Sequence, residues 1–292
     1  MNNKLFIIII VGVVTLFGAL VLFNDKESTP TSDTQTQLKL SDIHGLEVDI
    51  DNPDRLYLPN HQGLYVQGAD GNISKVGDTS DDLMSFTVSM TEPDVFYASG
   101  HPQTGGNFGL IKTTDGGDSW TNISDGLDGP VDFHAMAIDT VNEQLLYGYY
   151  RGDLQRSSNG GRNWEYVEDV PEQIIQLSAG QNEGQLYAAT VNGLLVSQDK
   201  GDNWASLESI KETVTAVEVN ANNGQMFAYG VNSGLLTSDD NGGTWTEVDL
   251  NSTDDQVLYI ASSRTNPKQV YLITRTLEIH KSTDGGETWN LR

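Results

Sequence analysis

His44, His61, His101 and His134 are four of the five histidines in a chain of 292 residues that contains no cysteine. Imidazole titrates near neutrality and serves as a proton carrier or as a ligand to zinc, copper and other late transition metals. With the thioether of Met84, these four form a candidate set for a copper or zinc ion. Asp81, Asp82 and Asp132 lie near them in the chain and can add oxygen ligands or orient a ring. The same carboxylates suit a second chemistry. A glycosidase needs two carboxyl groups about 5 to 10 Å apart across the scissile bond, and Asp81 or Asp82 with Asp132 is the candidate catalytic pair. A third use is binding of a ligand or protein partner, with the four histidines and Arg151 as contacts. Each use requires these residues to share one surface, so the elements that carry them come next.

Those elements repeat. Thr113–Trp120 (TTDGGDSW) recurs as Ser157–Trp164, Ser197–Trp204, Ser238–Trp245 and Ser282–Trp289, and all five tryptophans close one copy. Successive tryptophans are 44, 40, 41 and 44 residues apart, a period typical of propellers and other repeat architectures. In each copy the acidic or amide residue (Asp115, Asn159, Asp199, Asp240, Asp284) and the leading Ser/Thr can accept backbone N–H groups and close a turn. The central glycine (Gly117, Gly161, Gly201, Gly242, Gly286) accepts a positive φ, and the tryptophan (Trp120, Trp164, Trp204, Trp245, Trp289) anchors the turn by burial. Asn159 replaces one acceptor by another. The boxes lack the further oxygen ligands and closing glutamate of a calcium loop, so they read as structural clasps.

A run with a central aromatic precedes each box: VFYA at Val95, LLYG at Leu145, QLYA at Gln185, QMFA at Gln225 and QVYL at Gln269. A sixth, RLYL at Arg55, precedes GLYVQ and a decayed box around Asp70 and Gly71, with Lys75 in the place of tryptophan. Residues 43–292 thus divide into six units of about 42 residues, enough for four short strands each. The expected fold is an all-β, six-bladed β-propeller with the boxes as turns between strands C and D. The first unit reads as strands at Ile43–Ile50, Arg55–Asn60, Gly63–Gln67 and Ile73–Val76. The last unit ends on its own strand D, so the ring closes without a borrowed strand.

In a four-stranded antiparallel meander, the start of strand A and the end of strand B lie on one face and the C–D turn on the other. Alignment of the first three units on Tyr57, Tyr97 and Tyr147 puts His44, Met84 and His134 at the start of strand A. His61, His101 and Arg151 fall at the end of strand B. Four histidines therefore meet on one face of three adjacent blades, away from the boxes. His280 belongs to strand C and reads as structural, and the connection His101–Phe108 can form a rim over the face.

The box pattern is similar to the Asp-box, or bacterial neuraminidase repeat, of sialidases, sortilin-type receptors and the photosystem II assembly and stability factors. With IHGL at Ile43, SGHP at Ser99 and VDFHA at Val131, the chain also resembles a group of membrane-anchored bacterial propellers catalogued as glycosyl hydrolases. That resemblance implies a propeller with a ligand or substrate on one face. A sialidase clamps its substrate carboxylate with three arginines, and the scattered Arg55, Arg151, Arg264 and Arg275 match no such triad. The expectation is a binding propeller with an assembly role in the envelope, the alternatives being a glycoside hydrolase or a transition-metal-binding protein on the same face.

Leu5–Phe23 is an uncharged apolar run of 19 residues, nearly long enough to span a hydrocarbon core, and it exceeds the apolar region of a signal peptide. It reads as a signal anchor over residues 1–23, followed by a polar tether over residues 24–42 and an extracytoplasmic propeller; a cleaved N-terminus would make the propeller secreted. Asn72, Asn122 and Asn251 begin Asn-x-Ser/Thr sequons. The net charge of −25, from 41 acidic and 16 basic residues, excludes nucleic acid as the natural partner. The partners expected are the membrane, through the N-terminal helix, and a protein or carbohydrate ligand.

Overall fold

The computed structural model describes residues 42–167, 170–250 and 255–292. The apolar run, the tether up to residue 41 and Asn251 lie outside them. Among the described residues no helix is long and apolar enough to cross a membrane.

Among the described residues, twenty-four strands form six four-stranded antiparallel sheets, each in the simple order A–B–C–D. This is the expected six-bladed propeller, and each blade is a contiguous stretch of chain. Blade 1 comprises Glu47–Val48, Leu56–Asn60, Gly63–Gln67 and Ile73–Val76. Blade 2 comprises Asp82–Val88, Phe96–His101, Leu110–Thr113 and Thr121–Ser124. Blade 3 comprises Ala135–Ile138, Leu146–Tyr150, Asp153–Ser157 and Glu165–Val167. Blade 4 comprises Ile174–Ala179, Leu186–Thr190, Gly193–Ser197 and Ala205–Leu207, and blade 5 comprises Val214–Val219, Met226–Gly230, Gly234–Ser238 and Thr246–Val248. Blade 6 comprises Val257–Ser262, Val270–Thr274, Ile279–Ser282 and Asn290–Leu291, so it supplies its own strand D. In place of a shared strand, the blade 6 residues Gln269 and Arg292 donate to Pro53 O and to Asp54 O and Gly68 O of blade 1.

Strands A pack side by side around the centre, and the apolar core consists of six clusters, each between two successive blades. A blade presents both faces to neighbours, which is why its B strands are buried throughout rather than in alternation.

The five boxes share one hydrogen-bond scheme. In the first, Thr113 Oγ1 accepts from Gly117 N at 3.0 Å and donates to Asp115 Oδ1, which accepts from Ser119 N at 2.9 Å. The other four leading serines accept from the equivalent glycine N at 2.8–2.9 Å. Asn159 Oδ1 takes the aspartate's place without loss, accepting from Asn163 N at 2.9 Å. All five glycines have positive φ. They have a second duty that the turn alone does not reveal. A Cβ at Gly117, Gly161, Gly201, Gly242 or Gly286 would stand 2.0–3.2 Å from Leu64, Leu110, Val167, Leu207 or Phe227, each in the preceding blade. The boxes therefore join blades as well as strands.

Two local expectations need correction. Strand A of blade 1 shrinks from Ile43–Ile50 to Glu47–Val48 plus an isolated bridge between Ile43 and Asn60. Lys75 does not occupy a tryptophan's place. It sits on strand D opposite Tyr65, because the C–D turn of blade 1 is shorter than a box.

Candidate functional site

The start of strand A is irregular by design. In blade 2 the pairing of strands A and B shifts between Leu83 and Ser85, leaving Met84 as an extra residue. Blades 4, 5 and 6 carry the same shift. Such a bulge re-aims the side chains around it, and here it makes Asp82 the register partner of His101. Gly100 is required for this approach, since its φ is 153° and a Cβ would lie 2.0 Å from Asp82 O.

Blade 1 brings its two histidines to the same point. His44 N donates to Pro59 O at 2.9 Å at the entry to strand A, and His61 follows the end of strand B. His44 Nε2 lies 3.3 Å from both ring nitrogens of His61, the rings being nearly perpendicular with centroids 4.4 Å apart. His61 Nδ1 makes a short contact with Asp82 Oδ2, which also lies 3.4 Å from His101 Nε2. His44 Nε2 is 3.6 Å from Asp82 Oδ1. Ligand atoms of His44, His61 and Asp82 all fall within 4.8 Å of one another.

Blade 3 adds a neighbouring pair in which His134 Nε2 lies 3.2 Å from Asp132 Oδ2. The two aspartates are buried, at 6% and 8% exposure, whereas His61, His101 and His134 remain open at 44%, 40% and 57% of their side-chain surface. Asp82 Oδ1 and Asp132 Oδ1 make no hydrogen bond among the described residues. A buried acceptor left in that state costs about 1–3 kcal/mol. Burial, followed by the neighbouring His61, lowers the His44 pKa to about 4, so His44 is a neutral imidazole at pH 7 with a lone pair to offer.

The structure thus brings together His44, His61, Asp82 and His101, and sets His134 with Asp132. Asp81 takes another role: it accepts from Gln103 N at 3.1 Å and from Thr79 Oγ1 at 2.9 Å, holding the rim connection that follows His101. Asn107, in the same connection, donates to Pro130 O and Tyr150 OH of the blade 3 region. Arg151 stacks on Tyr150, 4.9 Å from the ring centroid, at a positive φ of 53°. His280 is fully buried on strand C of blade 6.

A second polar constellation was not foreseen. Glu47, Thr87, Ala137, Ser178, Glu218 and Ala261 occupy the same register, opposite the strand B aromatics. Five of the six, all but Ala261, line a central cavity of about 70 Å³. Glu218 Oε1 accepts from Ser262 N and Oγ at 3.0 and 2.5 Å. Arg264 lies 3.8 Å from Glu47 and donates to Val88 O and Ser89 O of blade 2. Burial raises the Glu47 pKa and raises that of Glu218 to about 7. Arg264, Met90, Thr140 and Ala221 follow the ends of their A strands, so this cavity lies toward the box face. Alignment on the aromatic would have exposed the Glu47–Glu218 equivalence; the cross-ring reach of Arg264 has no sequence signal.

No protein-family model and no curated protein matches the chain. Solved structures do. A GH74 enzyme from Niastella koreensis superposes with a TM-score of 0.64 at 15% identity, over 85% of this chain and 45% of that one. A GH74 xyloglucanase from Xanthomonas campestris gives 0.59 at 14%, over 84% and 45%. This chain therefore spans less than half the length of either enzyme. YCF48 bound to D1 peptide gives 0.56 at 17%, over 86% of this chain and 82% of that one. At such identities the likeness bears on the fold alone, and at that level the resemblance drawn from the boxes holds: the chain is a β-propeller with Asp-box-type turns, structurally similar to GH74 enzymes and to YCF48.

Proposed function

We propose that this chain is a binding propeller, held at the outer side of a membrane by its N-terminal apolar run, that takes a ligand or protein partner on its histidine-bearing face. The observation that carries the reading is the pair of buried aspartates, each with one oxygen lacking a hydrogen bond among the described residues, beneath four histidines contributed by three blades. Buried acceptors are normally satisfied, so each unsatisfied one calls for an explanation, which a bound ligand would supply here. A protein segment is a suitable class of partner, since YCF48 has this fold and was solved with a peptide bound.

Hydrolysis is less well supported. Asp81 is hydrogen-bonded through both oxygens, and Asp82 and Asp132 are buried with one oxygen of each engaged by histidine, so none presents an open carboxyl group to a substrate. The test is photo-crosslinking of the full chain in its own cells, from Thr104 on the rim and from Glu287 in the last box, both exposed. Adducts are expected from position 104 alone. Adducts from position 287 alone would overturn the reading, and release of glycan fragments that stops in Asp82→Asn would replace it with a hydrolase.

A further inference from the structure

We infer that His44, His61 and Asp82 form a three-ligand site for a late first-row divalent metal ion, zinc or copper(II), with His101 as its positioning residue. The inference rests on the proposal that the histidine face is the binding face, and it names what that face takes first.

Donor spacing is the leading observation. Ligands held at about 2.0–2.1 Å from a tetrahedral ion stand about 3.3 Å from one another. His44 Nε2 and His61 Nε2 are 3.3 Å apart, and His44 Nε2 and Asp82 Oδ1 are 3.6 Å apart. His61 Nδ1 is turned to Asp82 Oδ2, so a proton on Nδ1 leaves Nε2 as the ring's unprotonated donor atom. Outer carboxylates commonly fix a ligating imidazole in this way. Here one aspartate does both, ligating through Oδ1 and orienting through Oδ2.

The second observation is the state of that Oδ1. Asp82 is 6% exposed, and its Oδ1 has no hydrogen bond among the described residues although its Oδ2 is contacted by two imidazoles. A purely hydrogen-bonded network would use Oδ1 as well. It would also not set an imidazole nitrogen equidistant from both nitrogens of a second ring, a geometry that aligns with neither lone pair.

The donor set selects the ion. Two imidazoles and one carboxylate suit zinc and copper(II), while the chain has no cysteine for a thiolate site and the cluster has too few oxygens for calcium or magnesium. His44 and His61 belong to blade 1 and Asp82 to blade 2, so the ion would staple two blades. Three protein ligands leave a further coordination position for a donor from the bound partner.

The test is titration of chelator-treated full chain with zinc, with copper(II) and with calcium as control, read by equilibrium dialysis and elemental analysis. One equivalent of zinc or copper per chain is expected, and none of calcium. His44→Ala and His61→Ala should each weaken binding by more than about 100-fold, and His101→Ala by about 10- to 100-fold. His61 is half-exposed, so its loss leaves the core intact, and circular dichroism checks this. Copper(II) electron paramagnetic resonance should show nitrogen couplings that diminish in His61→Ala. Absence of stoichiometric binding, or affinity unchanged in His44→Ala and His61→Ala, overturns the site. A chain that binds no ion yet crosslinks from Thr104 loses the metal and keeps the face. One that binds the ion but crosslinks only from Glu287 keeps the metal and loses the face.

Discussion

The two faces of the ring use aspartate in opposite ways. In the boxes the third-position aspartates Asp115, Asp199, Asp240 and Asp284 are hydrogen-bonded through both oxygens: Asp240 Oδ1 accepts from Ser238 Oγ and Thr244 N, and its Oδ2 accepts from Thr244 Oγ1. These bonds favour the charged form. The Ser119 hydroxyl in the first box, the Thr244 backbone N–H in the fourth and the Thr288 hydroxyl in the fifth lead in pulling Asp115, Asp240 and Asp284 to about 2. On the histidine face, Asp82 and Asp132 are buried and each keeps one oxygen without a hydrogen bond among the described residues. Saturated carboxylates at the surface hold turns, whereas the two below the histidine face each keep an unbonded acceptor among the described residues, the feature on which the proposed binding role rests.

The comparison is tested most severely by removing a box anchor. Trp289 is 7% exposed, donates from Nε1 to Gly286 O and packs edge-on to Phe227 of blade 5. Trp289→Ala should cost about 3–5 kcal/mol in denaturant unfolding while leaving ligand affinity at the opposite face unchanged; a joint loss of both would show that the faces are not independent. Next comes the central cavity, where the sign of the pH effect separates Glu218 from the box aspartates. A carboxyl group raised to about 7 from an ordinary 4.5 contributes stability that is complete below the lower value and lost as pH rises through the upper. Depressed box carboxylates do the reverse, losing their contribution as pH falls from about 4 toward 2. Glu218→Gln should therefore raise Tm relative to the parent by about 2–4 °C at pH 8 and by little at pH 4, measured by calorimetry.

A smaller effect is expected at the site itself. Asp82→Asn keeps an acceptor for His61 and removes a buried charge, so unfolding free energy should change by no more than about 1 kcal/mol while ligand binding is lost. A destabilisation as large as that of Trp289→Ala would place Asp82 with the scaffold. The smallest effect belongs to Asn159→Asp, which restores the common box residue to a turn already satisfied by its amide oxygen. A shift below about 0.5 kcal/mol is expected in the same assay, and a larger gain would mean that charge, beyond acceptor geometry, stabilises the boxes.

Much of this was written locally in the chain. The box residues form their turn with partners no more than four positions away, and positive φ is a property of the glycine itself. The six-fold period and the meander rule then placed four histidines on one face, because in a simple up-and-down blade the side of a strand end follows from strand order alone. Six blades, the ring closing on its own last strand and the remoteness of the boxes from the histidines were determined by sequence at that level. The choice of Asp82 over Asp81 was not. A single bulged residue, Met84, sets which carboxylate opposes His101, and a one-residue shift in a strand reverses the side to which every side chain points. The close approach at Gly100, the second role of the box glycines against the preceding blade, and the meeting of Glu47, Glu218 and Arg264 in the central cavity were likewise decided only by the closed ring. Their partners lie in other blades, and contacts of that range follow from how the sheets pack rather than from any spacing along the chain.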